Sequence, residues 1–503
     1  MQQRVNGLLQ ELTNVYIIFI LVLLPLYMKE RMVMIGDAKY YFFRDVTVLF
    51  LIIALFALML YGIAYCLEKN RKNNAKKIRF SVQDFFVASY GVLSITSCIF
   101  SQEKEIALWG YQDWYMGAFT QGVFVAIYFI VSRFYNGTED LWKLAGVTAM
   151  VVFVLGILNR FQIDPLNIYE GMKENDWNRT HLLSTIGNNN WSCGYISVTA
   201  GISIYFYNTI NGKWRLLAGM ATFLTYITLL TQGSESGYVL MAGIMGVLCY
   251  VSLDSREKFL RAWETILMFP LACVVLNVIH SINPKIMIMD DEGTEGIWAL
   301  WNGWIIVLAV TAIVYIWLSY RHFKKMEEKK KMIMPIRITM IVVVVVGLLA
   351  LIGYVSTGKN MNWGTGRGAL WYVSIRCFLE GDWKQKLIGA GPDCFAPYVY
   401  NSYNINDMVQ VSHRWKDIIY ASAHNEWLNM LVTQGVLGLM AYLGIFVSGM
   451  VRCLKRIATQ PILLLGLLML AGYTANATFS FQHVMATPFA FVMLGMTEAA
   501  IRK

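Results

Sequence analysis

The chain has 503 residues, 57% of them hydrophobic and only 15% charged, where a soluble globular domain is about 45–50% apolar and about 25% charged. That composition excludes a disordered protein and a soluble enzyme carried by a single anchor. The net charge of +10 does not point to nucleic acid, because Lys and Arg gather in short loops between apolar runs, as on the cytoplasmic side of membrane proteins.

At about 20 apolar residues per crossing, the sequence predicts spans near 15–28, 46–67, 83–100, 117–134, 142–158, 190–208, 214–232, 238–253, 262–280, 297–320, 338–356, 426–450, 461–477 and 484–500. The fold class expected is therefore an all-α polytopic membrane protein of 12–14 transmembrane helices. Residues 1–14 are largely polar and no small-residue cleavage site follows the first run, so no cleavable signal peptide is expected. The loops 68–79 and 321–337 are strongly basic, as are the smaller sets at Lys213 and Arg215, at Arg256, Lys258 and Arg261, at Arg452, Lys455 and Arg456, and at Arg502 and Lys503. An even number of proposed spans separates every pair of them, which puts them all on the cytoplasmic side of an inner, multi-pass membrane protein, together with both termini. Loop 29–45 breaks the pattern, holding Lys29, Arg31, Lys39 and Arg44 where an external loop is expected.

The chain thus divides into helices 1–11 over 1–356, an external loop over 357–425, and C-terminal helices over 426–503. The loop is too long for a connector and too rich in Trp, Tyr and Phe to be disordered. Within it, 368–380 reads as a short helix whose stripe is Leu370, Trp371, Ile375, Phe378 and Leu379, ended by Gly381, lying on the outer membrane surface or on the mouth of the bundle. Six of the eight cysteines lie in or beside apolar runs, and Cys377 and Cys394 share the loop without a spacing that settles whether they pair.

Four motifs carry chemistry. H-N-E-W-L-N-M-L-V-T-Q-G-V-L-G runs from His424 to Gly438, where the loop re-enters the membrane. An ionisable residue there is a functional candidate, and Gly435 and Gly438 permit close helix approach. Upstream lie S-T-I-G-N-N-N-W (Ser184 to Trp191), G-T-G-R-G-A-L-W (Gly364 to Trp371) and L-I-G-A-G-P-D-C-F (Leu387 to Phe395). In order, spacing and side of the membrane, these stretches resemble the O-antigen ligase and polymerase superfamily, bacterial polytopic glycosyltransferases of the GT-C class; the resemblance spans about residues 184–440.

The resemblance implies a polyprenyl (undecaprenyl) diphosphate-linked saccharide as donor, a glycan or glycolipid as acceptor, a lipid bilayer around both, and no cofactor or metal. It implies Arg367 as the cation that holds the leaving diphosphate, since a planar fork of donors matches phosphate oxygens, and His424 as the group that positions or deprotonates the acceptor hydroxyl. Arg376, Asn425, Arg414, Asn188, Asn189, Ser234 and Glu235 are the further substrate-binding candidates. Glu235, in T-Q-G-S-E-S-G (Thr231 to Gly237), stands where many relatives carry an arginine. That arginine's job is either vacant or taken by Arg376 or Arg414.

Ordinary roles compete with these. Asn425 is a natural N-cap, Glu426 favours a first helical turn, Arg367 can snorkel to headgroups, Arg376 suits the polar face of a surface helix, residues 187–190 form a turn, and Gly389 and Gly391 suit turns before Pro392. A flippase or exporter of lipid-linked saccharides is the alternative function; it needs polar groups at mid-membrane and broken helices, where these spans are nearly charge-free. A peptidoglycan polymerase of the same broad class wants an acidic residue in the loop motif, and none is convincingly placed.

Overall fold

The computed structural model describes residues 2–69, 80–173, 177–288, 299–322, 330–357, 363–364, 366–402 and 419–503. Every one of the fourteen apolar runs falls on a helix. In lipid a backbone must close its hydrogen bonds within its own segment, and only a helix does so alone. The helices are α1 (Gln2–Ile18, continued by a wider π turn and Leu24–Leu26), α2 (Ile35–Lys69), α3 (Val82–Phe100), α4 (Ala118–Phe134), α5 (Asp140–Arg160), α6 (Asn189–Thr209), α7 (Lys213–Thr231), α8 (Ser236–Ser252), α9 (Arg256–Ile282), α10 (Trp304–Trp317) and α11 (Lys330–Ser356). After the loop helices α12 (Arg367–Glu380), α13 (Trp383–Ile388) and α14 (Phe395–Ser402) come α15 (Glu426–Arg456), α16 (Leu463–Asn476) and α17 (Thr487–Arg502). The described strands are two short pieces, Leu182–Leu183 and Gly187–Asn188, paired antiparallel.

Among the described residues eight helices are long and apolar enough to cross a membrane, and α4, α8, α10 and α16 are shorter apolar helices. Helices α6 and α17 are instead buried along nearly their whole length. They form the centre of the bundle, with α4 against α17 and α16 against α6. A helix that meets only protein need not be uniformly apolar, which is why α6 tolerates Ser192, Ser197, Thr199 and Ser203. At the other extreme, α11 keeps only 6% of its apolar window inside the protein. A bilayer supplies the missing partner, and the chain is an all-α polytopic membrane protein.

The first helix starts at residue 2 rather than near 15, since Val5, Leu8, Leu9 and Leu12 continue its stripe. The second starts at Ile35, so most of loop 29–45 is helical. There Lys39 is fully buried and donates to the carbonyls of Leu24 (3.0 Å), Pro25 (3.2 Å) and Tyr27 (2.7 Å). It satisfies the orphan carbonyls at the end of the first helix. Arg31 pairs with Glu170 and Arg44 with Asp45. Three of the cations that disturb the charge pattern are therefore tied down locally.

Helix α12 matches its predicted range to within a residue. Its buried face is Leu370, Trp371, Val373, Ser374 and Cys377, and Leu379 of the expected stripe is 57% exposed. The helix leans on α15, and Trp371 meets Phe479 at 5.5 Å, so it sits on the mouth of the bundle. Cys377 and Cys394 are both buried and unpaired.

Candidate functional site

The site is built around a break in α15. Gly435 has φ +69° and ψ −173°, a conformation open to glycine and strained for other residues. The break takes Val432 and Thr433 out of the regular ladder, and their carbonyls accept N–H groups from the loop instead: Ala390 to Val432 at 3.1 Å and Gly391 to Thr433 at 2.8 Å. Ser97 of α3 adds a hydroxyl to the Thr433 carbonyl at 3.0 Å. A Cβ on Gly435 would lie 2.4 Å from the Leu387 carbonyl carbon, and one on Gly389 2.2 Å from that of Thr433. The L-I-G-A-G and Q-G-V-L-G stretches are thus two halves of one backbone-to-backbone joint. The close approach expected of Gly435 is to the last turn of the short loop helix α13. Gly438 sits under the folded-back Gln434, whose Cβ would be 2.4 Å from an added methyl.

This joint fixes where the loop returns. Asn425 caps α15, its side-chain oxygen accepting from the Leu428 N–H at 3.0 Å, and Asn429 accepts from the Ala423 N–H at 3.2 Å. Between them His424 is held at φ +47°, a position a non-glycine residue occupies only when its surroundings enforce it. Its ring lies edge-on to Tyr420 (6.0 Å) and Phe481 (5.0 Å). Burial first, and the positive charge of Arg367 second, push the imidazole down to about 3, so it is neutral near pH 7. Arg367 opens α12, is buried, and donates to the Gly364 carbonyl at 3.2 Å. The charge of Arg367 thus reaches the His424 ring.

The other candidates separate. Arg376 lies nine residues beyond Arg367, half a turn round α12, and pairs with Glu380 on the exposed side. Arg414 lies outside the described residues. The two upstream motifs interlock. Asn188 caps α6 through the Asn190 N–H (2.9 Å), Asn189 donates to the Gly233 carbonyl (2.9 Å), and Ser234 donates to Asn190 (2.7 Å). Glu235 stands at the start of α8, beside this turn. An aromatic chain connects the unit to His424: Trp191 meets Trp114 at 5.9 Å, Trp114 meets Phe481 at 4.7 Å, and Phe481 meets His424.

Several residues of the site carry no advance signal. Glu426 stands in the first turn of α15 as expected, but its carboxylate also points inward and accepts from Tyr442 and, at 2.9 Å, from Tyr473. Gln482 donates to Tyr442 (2.9 Å) and accepts from Gln121 (2.7 Å), which accepts from Tyr90 (2.6 Å). His483 is buried against Trp191, with neither ring nitrogen hydrogen-bonded among the described residues, and burial pushes it down to about 3. The polar pair Gln482–His483 in F-S-F-Q-H, between two apolar runs, is the one hint the sequence holds. Asp393 of G-P-D-C-F is an acidic residue in the loop motif after all. It stands at φ +60° and accepts the N–H groups of Tyr111 (2.7 Å) and Met116 (2.9 Å). Burial outweighs those two bonds and pushes its carboxyl up to about 6. Asp393, Trp114, Asn429, Gln434, Phe481 and Gln482 line a narrow cleft beside His424.

No curated protein matches the chain. Residues 296–443, which run from the approach to α10 through the loop to the break in α15 and include Arg367, Asp393 and His424, match the O-antigen ligase family model, and that match supports the chain's membership of the O-antigen ligase/polymerase superfamily.

Proposed function

We propose that this protein is a membrane glycosyltransferase that moves a saccharide from a polyprenyl (undecaprenyl) diphosphate carrier to a glycan or glycolipid acceptor. The transfer takes place at the outer face of the cytoplasmic membrane, in cell-surface polysaccharide biosynthesis, as ligation or polymerisation. The family match supports the ligase/polymerase type of function. The residue roles are supported by the placement of His424 at the returning end of the loop, capped onto α15 and held at positive φ, with the charge of Arg367 bearing on its ring.

In this reading the Arg367 guanidinium grips the diphosphate and stabilises the charge that develops on it as it leaves, which needs no change of protonation. Neutral His424 donates its one ring N–H to the oxygen of the acceptor hydroxyl and orients it towards the anomeric carbon. The Asn188–Asn189 and Ser234–Glu235 turn, linked to His424 through Trp191 and Trp114, contacts the saccharide beyond the reacting sugar. Asn425 orients the His424 backbone, and Arg376 and Arg414 are outlying cations for a bulky anionic glycan.

The test is to incubate detergent-purified protein with an undecaprenyl-diphosphate oligosaccharide and fluorescent oligosaccharide acceptors. Arg367→Ala and His424→Ala are each expected to lower transfer by about 100-fold or more. Donor that crosses a vesicle membrane with its pyrophosphate bond intact, and no transfer, would point to a transporter instead. Cysteine labelling of residues in 366–402 from outside intact cells tests the sidedness.

A further inference from the structure

The cleft beside His424 has unspent hydrogen-bonding capacity of a particular kind. Asp393 receives both of its hydrogen bonds on Oδ2; among the described residues none reaches Oδ1. Asn429 and Gln434 use their amide oxygens, which accept from the Ala423 N–H (3.2 Å) and the Ser94 hydroxyl (2.9 Å). The two side chains are 9% and 1% exposed; the Asn429 amide nitrogen finds no acceptor among the described residues, whereas Gln434 is also hydrogen-bonded to Tyr90. Asp393 Oδ1 and the Asn429 amide, both on the cleft lining, are set for a ligand that supplies their partners. Trp114, edge-on to Phe481 at 4.7 Å, forms an aromatic wall.

The chemistry of this lining selects among ligands. A phosphate only accepts hydrogen bonds and is repelled by a carboxylate. A sugar hydroxyl donates to the carboxylate and accepts from an amide, while the C–H face of its ring packs on an indole. The diphosphate therefore belongs on the Arg367 side of His424 and a sugar in the cleft.

We propose that this cleft seats the acceptor sugar, with Asp393 taking the proton of the attacking hydroxyl, Asn429 donating to a neighbouring oxygen of the ring, and Trp114 forming the platform beneath it. The proposal rests on the saccharide-transfer reading above. The acceptor O–H bond breaks and its proton passes to Asp393 Oδ1. The oxygen's electron pair forms the new bond to the donor's anomeric carbon, and the bond from that carbon to the diphosphate oxygen breaks, its pair leaving with the diphosphate. The proton on Asp393 then passes to water.

The geometry holds carboxylate and platform in one rigid unit, because Asp393 grips both ends of the Tyr111–Met116 turn that carries Trp114. Three non-glycine residues here stand at positive φ, Asp113 (72°), Tyr115 (55°) and Asp393 (60°), a concentration of backbone strain typical of functional sites. Burial of Asp393 also makes it a better proton acceptor than an ordinary aspartate while leaving it ionised at neutral pH. His424, pushed the other way, serves to orient.

The test uses the full-length protein in detergent with the undecaprenyl-diphosphate oligosaccharide and a titrated panel of fluorescent oligosaccharides. Asp393→Asn keeps an oxygen for the Tyr111 and Met116 N–H groups, so the turn stays clamped. It is expected to lower kcat by about 100-fold or more with the thermal transition unchanged. Trp114→Ala is expected to raise the acceptor KM by about 10-fold with kcat near the parent value. If Asp393→Asn proves unstable, the acceptor KM of Trp114→Ala decides. Parent-like kcat in the first variant, or parent-like acceptor KM in the second, overturns the cleft assignment while the transfer reading stands. Absence of transfer by the parent protein overturns both.

Discussion

The charge of Arg367 bears on the imidazole of His424 although 57 residues separate them in the chain, and together with burial it keeps the ring unprotonated. In the proposed transfer, a cation that grips an anionic leaving group and a neutral ring that orients a hydroxyl are compatible neighbours.

Arg367→Ala removes the repulsion but not the burial. The His424 pKa is expected to rise while staying below its ordinary 6.5, as read by ¹⁵N-histidine NMR in detergent. Arg367→Lys keeps the charge and loses the fork, so it should leave His424 depressed and still transfer about 10-fold or more slowly. A His424 pKa that ignores the alanine variant would separate the two residues.

Histidine burial sets an acid-sensitivity window. His424 and His483 both titrate near 3 when folded and near 6.5 when unfolded. Below 6.5 the unfolded chain binds protons that the folded protein refuses, so their contribution is fully present above 6.5 and is lost as pH falls towards 3. His483→Phe keeps a ring against Trp191 and removes one of the two. The thermal transition should then fall less between pH 8 and pH 5 than in the parent; an equal fall in both proteins would contradict the assignment.

Gly435→Ala and Gly389→Ala attack the same joint from opposite sides, each placing a methyl about 2.2–2.4 Å from backbone. Each is expected to cost several kcal/mol, about 3 or more, and the double variant should fall short of the sum. Gly347→Ala in α11, where a methyl meets nothing within 4 Å, is the control and should be neutral or mildly stabilising. Detergent thermal-shift measurements compare all four.

Lys39→Met leaves three carbonyls at the end of the first helix without their donor. At about 1–3 kcal/mol for a buried group left unpaired, a clear drop in thermal stability is expected, with the rate of saccharide transfer per folded molecule unchanged. Loss of transfer without loss of stability would make Lys39 part of the reaction instead.

The sequence resolved whatever depends on neighbours along the chain. Hydrophobic runs about as long as a bilayer is thick mark the helices whoever their partners are, since lipid leaves the backbone no other way to satisfy itself; α12 was legible for the same reason of local periodicity. The order of the glycine-rich and His–Asn stretches also pointed to Arg367 and His424 as candidates. Distances across the bundle were not legible. Asp393 reads as a turn residue until Tyr111 and Met116, over 270 residues away, close on its carboxylate. Gln434 reads as a helical residue until the break at Gly435 turns it into the cleft. Lys39 reads as loop charge until three carbonyls surround it. Periodicity and propensity report local geometry, whereas a carboxylate's environment, a buried amide's missing partner and a lysine's burial are properties of elements that meet only after packing. For that reason the helices could be named from the residues alone, while the cleft beside His424 came from how α3, α4, the loop and α15 fold against one another.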